Sequence, residues 1–186
     1  MITTKDNLCD FAIGLFQKDG FGSISINMIC QHIGVTRGSF YHHFQSKNDL
    51  LLYWFEKRIK TIEFNESIES PNERLKEYSL AHGKMIELIG YDLMYHVLMA
   101  EFELEGLHFP TYFLPHEKTI SLLQEAMDRN EIQGHESIEI LMDTYISATI
   151  GLIVKFKLEQ GRFNFVDKMI HTYETIFKSS YTDEIT

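Results

Sequence analysis

Between Thr36 and Phe44 the chain places Arg37, Gly38, Ser39, Tyr41, His42 and His43 around only two large apolar residues, Phe40 and Phe44. A guanidinium offers a planar fork of donors that fits the O6 and N7 edge of guanine, or clamps a phosphate. Gly38 carries no side chain and so permits close approach of a helix backbone to base edges. The hydroxyls of Ser25, Thr36 and Ser39 are short donors suited to phosphate oxygens, and Tyr41 and His42 add flat rings with polar tips for contacts at the lip of a groove. Lys47 follows at the start of a helix, where its ammonium and the free amides would add to one anion site. Each assignment has a plainer counterpart: Arg37 as a solvated charge, Tyr41 as a half-buried aromatic, His43 as packing between two helices. The chemistry implied is non-covalent grip on a nucleic-acid duplex. Nothing in the sequence resembles a Gly-rich phosphate loop, a nucleophile elbow, a metal-binding pair or a clustered acid–base set. The expectation is therefore no catalytic residue, no metal, no cofactor and no enzyme.

These side chains need elements that hold them at a surface. Leu8, Phe11, Ala12, Leu15 and Phe16 recur at intervals of three and four and predict a first helix. Gly20 and Gly22 end it. Ser25 is placed to cap a short second helix carrying Ile26, Ile29, Cys30 and Ile33, with Gly34 supplying the left-handed residue at its end. Thr36 then caps a third short helix with Phe40 and Phe44 one turn apart on its buried side. Two short helices joined by Gly34-Val35 meet the geometric need of a helix-turn-helix, whose second helix enters the major groove. From Lys47 a longer fourth helix carries Leu50, Leu51, Trp54, Phe55, Ile59 and Ile62. The polar stretch Asn65 to Asn72 reads as a connection. Helices are expected at Glu73–Ile89, Asp92–Leu107, Glu117–Asn130, Glu136–Glu159 and Phe165–Ser180.

Composition agrees with an all-α chain: three prolines and eleven glycines leave few helix breakers. The net charge of −10 opposes binding to phosphate until it is divided along the chain. Residues 1–60 hold seven Lys/Arg against five Asp/Glu, a net +2, and the remainder holds ten against 22, a net −12. Only the first part could face DNA. Cys9 and Cys30 have no basic neighbours and read as buried reduced thiols. With no signal peptide and no apolar run long enough for a bilayer, the expected compartment is the cytoplasm, without a membrane partner.

Residues 8–50 resemble the DNA-binding region of the TetR family of transcriptional regulators. The resemblance rests on Leu15-Phe16, Gly20-Phe21, Ser25, the run Ile29-Cys30-Gln31-His32-Ile33-Gly34-Val35-Thr36, then Phe40-Tyr41-His42-His43-Phe44, Lys47 and Leu50. Cys30 and Ile33 stand where the family usually has alanine, and Phe11 and Gly14 are atypical of its first helix. These departures concern packing and leave the groove-facing positions intact. The resemblance implies an Ω-like protomer of two domains, a homodimer, and a small-molecule inducer that releases a palindromic operator in double-stranded DNA. The expected boundaries are 1–47 for a three-helix DNA-binding domain and 48–186 for a helical effector-binding and dimerisation domain. The competing readings are a helical protein-interaction module and a DNA-binding regulator without a small-molecule inducer.

A single recognition helix reads few base pairs, so a two-fold dimer is expected. The segment Glu136–Glu159 is apolar almost all round, and one monomer cannot easily bury every face of a helix about 36 Å long. Tyr145, Leu152 and Phe156, with Met169, Ile170, Tyr173 and Phe177 of the last helix, are the expected interface; the alternative is a large internal core. A pocket for a small apolar or amphipathic ligand is expected among Met85, Tyr91, Tyr95, Met99, Phe102, Phe109, Tyr112, Phe113 and Tyr145, where rings and thioethers make adaptable cavities. Such stripes also serve as ordinary core.

Overall fold

The computed structural model describes residues 4–103, 116–132 and 137–177, and all regular structure among them is helical. The helices are α1 (Lys5–Asp19), a 3-10 turn (Phe21–Ser23), α2 (Ile26–Ile33), α3 (Arg37–His43) and α4 (Lys47–Ile59). After a loop come α5 (Pro71–Ile89), α6 (Tyr91–Phe102), α7 (His116–Asp128), α8 (Ile138–Leu158) and α9 (Phe165–Phe177).

Local chemistry sets the boundaries. The side chains of Thr4, Ser25, Thr36, Ser46, Ser70 and Ser137 each accept a hydrogen bond from an amide of the first turn that follows. Such caps satisfy donors that a helix start leaves orphaned. Gly34 ends α2 in the left-handed region, φ 76° and ψ 34°, as a C-capping glycine should. The first turn of α5 takes in Pro71 and Asn72, two residues of the stretch expected to be a connection. Proline is well tolerated there, because its missing N–H is one of the orphaned donors anyway.

The core is continuous from α1 to α9. Phe16, Phe40, Phe44, Leu50 and Phe55 are fully buried, so Phe40 of α3 and its C-capping residue Phe44 brace that helix from beneath. Helix α4 packs on α1 on one side and on α6 on the other, joining the two parts of the molecule. Helix α5 lies along α9, and Gly83 marks their close approach: a Cβ there would stand 3.4 Å from the side chain of Met169. The hydroxyl of Tyr173 ties α9 to the start of α5 by donating to Asn72, whose Oδ1 is 2.8 Å away. Among the described residues no helix is long and apolar enough to cross a membrane.

One expectation about α8 and α9 needs correction. Tyr145, Phe156, Met169, Tyr173 and Phe177 are buried inside a single protomer, and Leu152 and Ile170 are half-buried. The ring of Tyr145 meets Tyr173 at 6.1 Å and Phe177 at 5.5 Å, so these residues form internal core. The outward face of α8 is instead Ile140, Thr144, Ser147, Gly151, Val154 and Leu158, one position per turn.

Candidate nucleic-acid interface

Helix α3 turns its polar members outward. Arg37, Gly38, Tyr41 and His42 are exposed, Ser39 and His43 half-buried, and Phe40 is sealed beneath. Tyr41 remains 46% exposed although its ring meets Phe40 edge-on at 5.6 Å. The guanidinium of Arg37 lies 5.8 Å from the Tyr41 ring, a cation–π contact that lines both up on one face. Gly38 is not required by the fold: a Cβ there would meet only the Thr36 hydroxyl, at an ordinary 3.7 Å. Thr36 and Ser25 use their oxygens as acceptors for cap amides, each at 3.2 Å, which leaves their hydroxyl protons free to donate outward.

Ser25, Asn27, Arg37, Tyr41, Ser46 and Lys47 share the lining of one open cleft of about 520 Å³ between the N-termini of α2 and α4 and the face of α3. Asn27 and Asn48, which also borders the cleft, were not among the expected contacts. They are uncharged and lie outside α3; a count from the caps Ser25 and Ser46 would have placed both in the first turn of their helices.

Lys47 departs from its expected role. Its ammonium donates to the carbonyls of Phe21 at 2.8 Å and Ile24 at 2.7 Å and stands 4.4 Å from the Phe21 ring. Burial pushes its pKa down. The side chain is thus a brace between α4 and the turn before α2, with most of its donors spent inside the protein. Both thiols are inert by environment. Burial pushes Cys9 up to about 12 and raises Cys30 as well.

Among the described residues, those expected to hold a ligand are spread over α5, α6 and α8. Met85 borders a surface groove with Trp54 and Arg58, Tyr91 packs edge-on to Phe156 at 6.3 Å, and Tyr145 is hydrogen-bonded to Ser79 in the core. Tyr95 is half-buried on α6, and Met99 and Phe102 are exposed near its end. Phe109, Tyr112 and Phe113 lie outside the described residues. Among the described residues no three His, Cys, Asp or Glu come together as a metal site.

Two short helices locked at a fixed angle, the second presenting an exposed cation and polar rings above an apolar underside, define a helix-turn-helix DNA-binding protein. The chain matches the family described as bacterial regulatory proteins, tetR family, over residues 8–53. It is a DNA-binding transcriptional regulator. The chain is 24% identical to the transposon Tn10 TetC protein of Escherichia coli over 165 residues, 89% of this chain and 71% of that one. It is 35% identical to the regulator AcrR of Shigella flexneri over 75 residues, 39% of this chain and 35% of that protein, so this likeness is confined to about a third of each. The crystal structure of a Bacillus subtilis transcriptional regulator, FadR, in complex with stearoyl-CoA shares the fold at a TM-score of 0.65 and 16% identity, covering 94% of this chain and 98% of that one.

Proposed function

We propose that the protein is a repressor that binds a palindromic operator as a homodimer and leaves it when a small apolar or amphipathic ligand occupies the helical domain. The observation that carries the DNA-reading part is the outward array of Arg37, Gly38, Tyr41 and His42 above buried Phe40. The opposite charges of the two parts of the chain support the same orientation, since phosphate is repelled by the acidic part.

The exposed stripe of α8 supports the dimer. Ile140 is 51% and Leu158 76% exposed, and between them lie the small residues Thr144, Ser147 and Gly151. A Cβ at Gly151 would meet nothing within 4 Å, so a symmetry-related helix has room to come close. Paired recognition helices must then sit about 34–36 Å apart to enter successive major grooves. A ligand that favours another separation weakens operator binding by its differential affinity, commonly about 1–3 kcal/mol. Helix α4 is the mechanical link, because it touches both α1 and α6.

The test is the double variant Arg37→Ala/Tyr41→Ala, assayed on an operator selected from random duplexes by the wild-type protein. Operator binding is expected to fall at least a hundredfold while helix content and oligomeric state stay unchanged. Normal binding by the double variant would show that another surface reads the DNA.

A further inference from the structure

Helices α1, α4 and α5 wall a surface groove of about 380 Å³. Its base is the buried side chains of Ile13, Trp54 and Ile89. Its rim carries Asp10, Gly14 and Gln17 of α1, Arg58 of α4, and Met85 and Leu88 of α5. Helices α1 and α5 make no extensive contact with each other, so the groove runs between the DNA-reading part and the acidic part. A glycine weakens the interior of a helix. Nothing inside the protein asks for one at position 14, where a Cβ would meet nothing within 4 Å. The guanidinium of Arg58 stands 5.3 Å from the ring of Trp54, one turn earlier on α4. Among the described residues no carboxylate pairs with it, whereas its neighbours Lys57 and Lys60 are ion-paired with Asp6 and Glu56. Leu88 is 78% exposed. A lone exposed leucine means little, but this one shares a groove with an indole, a thioether and a cation.

We infer that this groove binds a small aromatic carboxylic acid, with its carboxylate on the Arg58 guanidinium and its ring against Trp54, Met85 and Leu88. The site lies outside the interior of the helical domain and stands without the release mechanism proposed above.

The volume sits at the lower end of the roughly 300–1,000 Å³ of small-molecule sites, which suits a ligand of one or two fused rings. A guanidinium fits a carboxylate with two parallel hydrogen bonds, a match that an ammonium cannot make. The thioether of Met85 and the indole of Trp54 offer polarizable surface to a flat ring. Asp10 is the one carboxylate of the described lining, and it lies on α1 within electrostatic reach of Lys57. Asp10 and Gln17 can accept from a hydroxyl or ring N–H of the ligand. A cationic ligand would meet Arg58 with no anion beside it on α4. A wholly apolar ligand would cover the guanidinium without pairing it, which costs free energy. Bound here, the ligand joins α1 to α5, two elements that otherwise make no extensive contact. Its occupancy therefore fixes the angle between the DNA-reading helices and the acidic part, and operator affinity follows its preference between arrangements.

The experiment is titration of the full-length protein with naphthoate, followed by calorimetry and by nuclear magnetic resonance, with naphthamide as the uncharged control of the same shape. Trp54 is the only tryptophan of the chain, so its indole N–H gives a single resonance that reports on this groove. Naphthoate should shift that resonance and bind at least tenfold more tightly than naphthamide. Arg58→Gln should abolish the preference for the charged compound. Gly14→Leu fills the open space on α1 with a better helix former, and should weaken naphthoate at least tenfold without lowering the melting temperature. Neither substitution touches α3, so operator affinity without ligand should match the wild type. No binding of naphthoate at millimolar concentration, equal affinity for the two compounds, an unmoved Trp54 resonance, or full affinity in either variant overturns the inference. Saturating naphthoate should change operator affinity at least threefold in the wild type and leave it unchanged in Arg58→Gln. An unchanged wild-type affinity upholds the site and overturns the coupling across the groove.

Discussion

The imidazole of His96 lies 4.6 Å from the ring of Phe21, the two planes 31° apart. His96 belongs to α6, and Phe21 sits in the 3-10 turn between α1 and α2. The same phenylalanine receives the Lys47 ammonium on its carbonyl and near its ring. One aromatic side chain thus connects α6, the start of α4 and the turn that leads into the helix-turn-helix. Burial lowers the pKa of His96; Asp92 opposes this, and Lys157 and Lys47 add to it. His96→Ala should cost about 1 kcal/mol, the size of one aromatic contact, in denaturant unfolding. It should also speed amide exchange at Phe21 to Ser25 while leaving α9 unaffected. Unchanged exchange there would mean that α6 does not support the turn.

Gly38 offers a cleaner separation of fold from binding. Its Cβ position is open inside the protein, so Gly38→Ala should raise helix stability by up to about 1 kcal/mol. If the backbone of α3 lies against base edges, the added methyl should weaken operator binding at least tenfold. A variant that melts higher and binds equally well would place α3 further from the groove.

Lys47→Ala leaves the carbonyls of Phe21 and Ile24 without their donor. The expected cost is about 1–3 kcal/mol of stability, read as a lower denaturation midpoint. Because the ammonium is turned inward, the slope of log K against log salt should change by less than the roughly 0.9 that one lost phosphate contact would produce. A full drop of that size would restore Lys47 to the phosphate-contacting set.

How much of this was legible beforehand depends on whether neighbours in sequence or neighbours in space decide. The caps Ser25 and Thr36, the left-handed Gly34 and the braces Phe40 and Phe44 act within one or two turns of themselves, and the chain shows them where expected. Lys47 is different. Its partners lie 23 and 26 residues earlier, and no local pattern distinguishes an inward lysine from an outward one. The same holds for α8, whose apolar residues surround the helix, so that periodicity alone cannot say which face meets α5 and α9. Large rings went inward because they fill the most volume, leaving Ile140, Val154 and Leu158 outside. The burial of Glu101 could not be told from sequence, since Glu103, two residues on at the C-cap of α6, is exposed.

The outward stripe of α8 makes a further prediction. Val154→Glu places a charge at the centre of the proposed two-fold contact, where its image in the partner copy would face it. Val154 is already 36% exposed in the protomer, so the monomer fold should tolerate the change. Sedimentation should show monomers at micromolar concentration with unaltered helix content, and operator binding should fall at least a hundredfold. A dimer that persists would move the interface off this face.

Two buried titratable groups, His82 and Glu101, act on stability in opposite directions. His82 is held at about 4, below its ordinary 6.5, so protonation favours the unfolded chain. Its contribution is intact above pH 6.5 and is lost as pH falls toward 4, by at most about 3 kcal/mol. Glu101 is raised to about 7 from an ordinary 4.5, so ionisation favours the unfolded chain. Its contribution is intact below pH 4.5 and is lost as pH rises through 7, again by at most about 3 kcal/mol. Between pH 4.5 and 6.5 the two slopes oppose each other, and Glu101→Gln removes one of them. The variant should be more stable than the wild type at pH 8, by up to about 3 kcal/mol, and the advantage should shrink toward pH 5. It should also lose stability more steeply on acidification, because the slope from His82 is then unopposed. Identical denaturation midpoints for the two proteins at pH 8 would mean that Glu101 is already solvated or paired, and that no uncompensated charge waits in the interior.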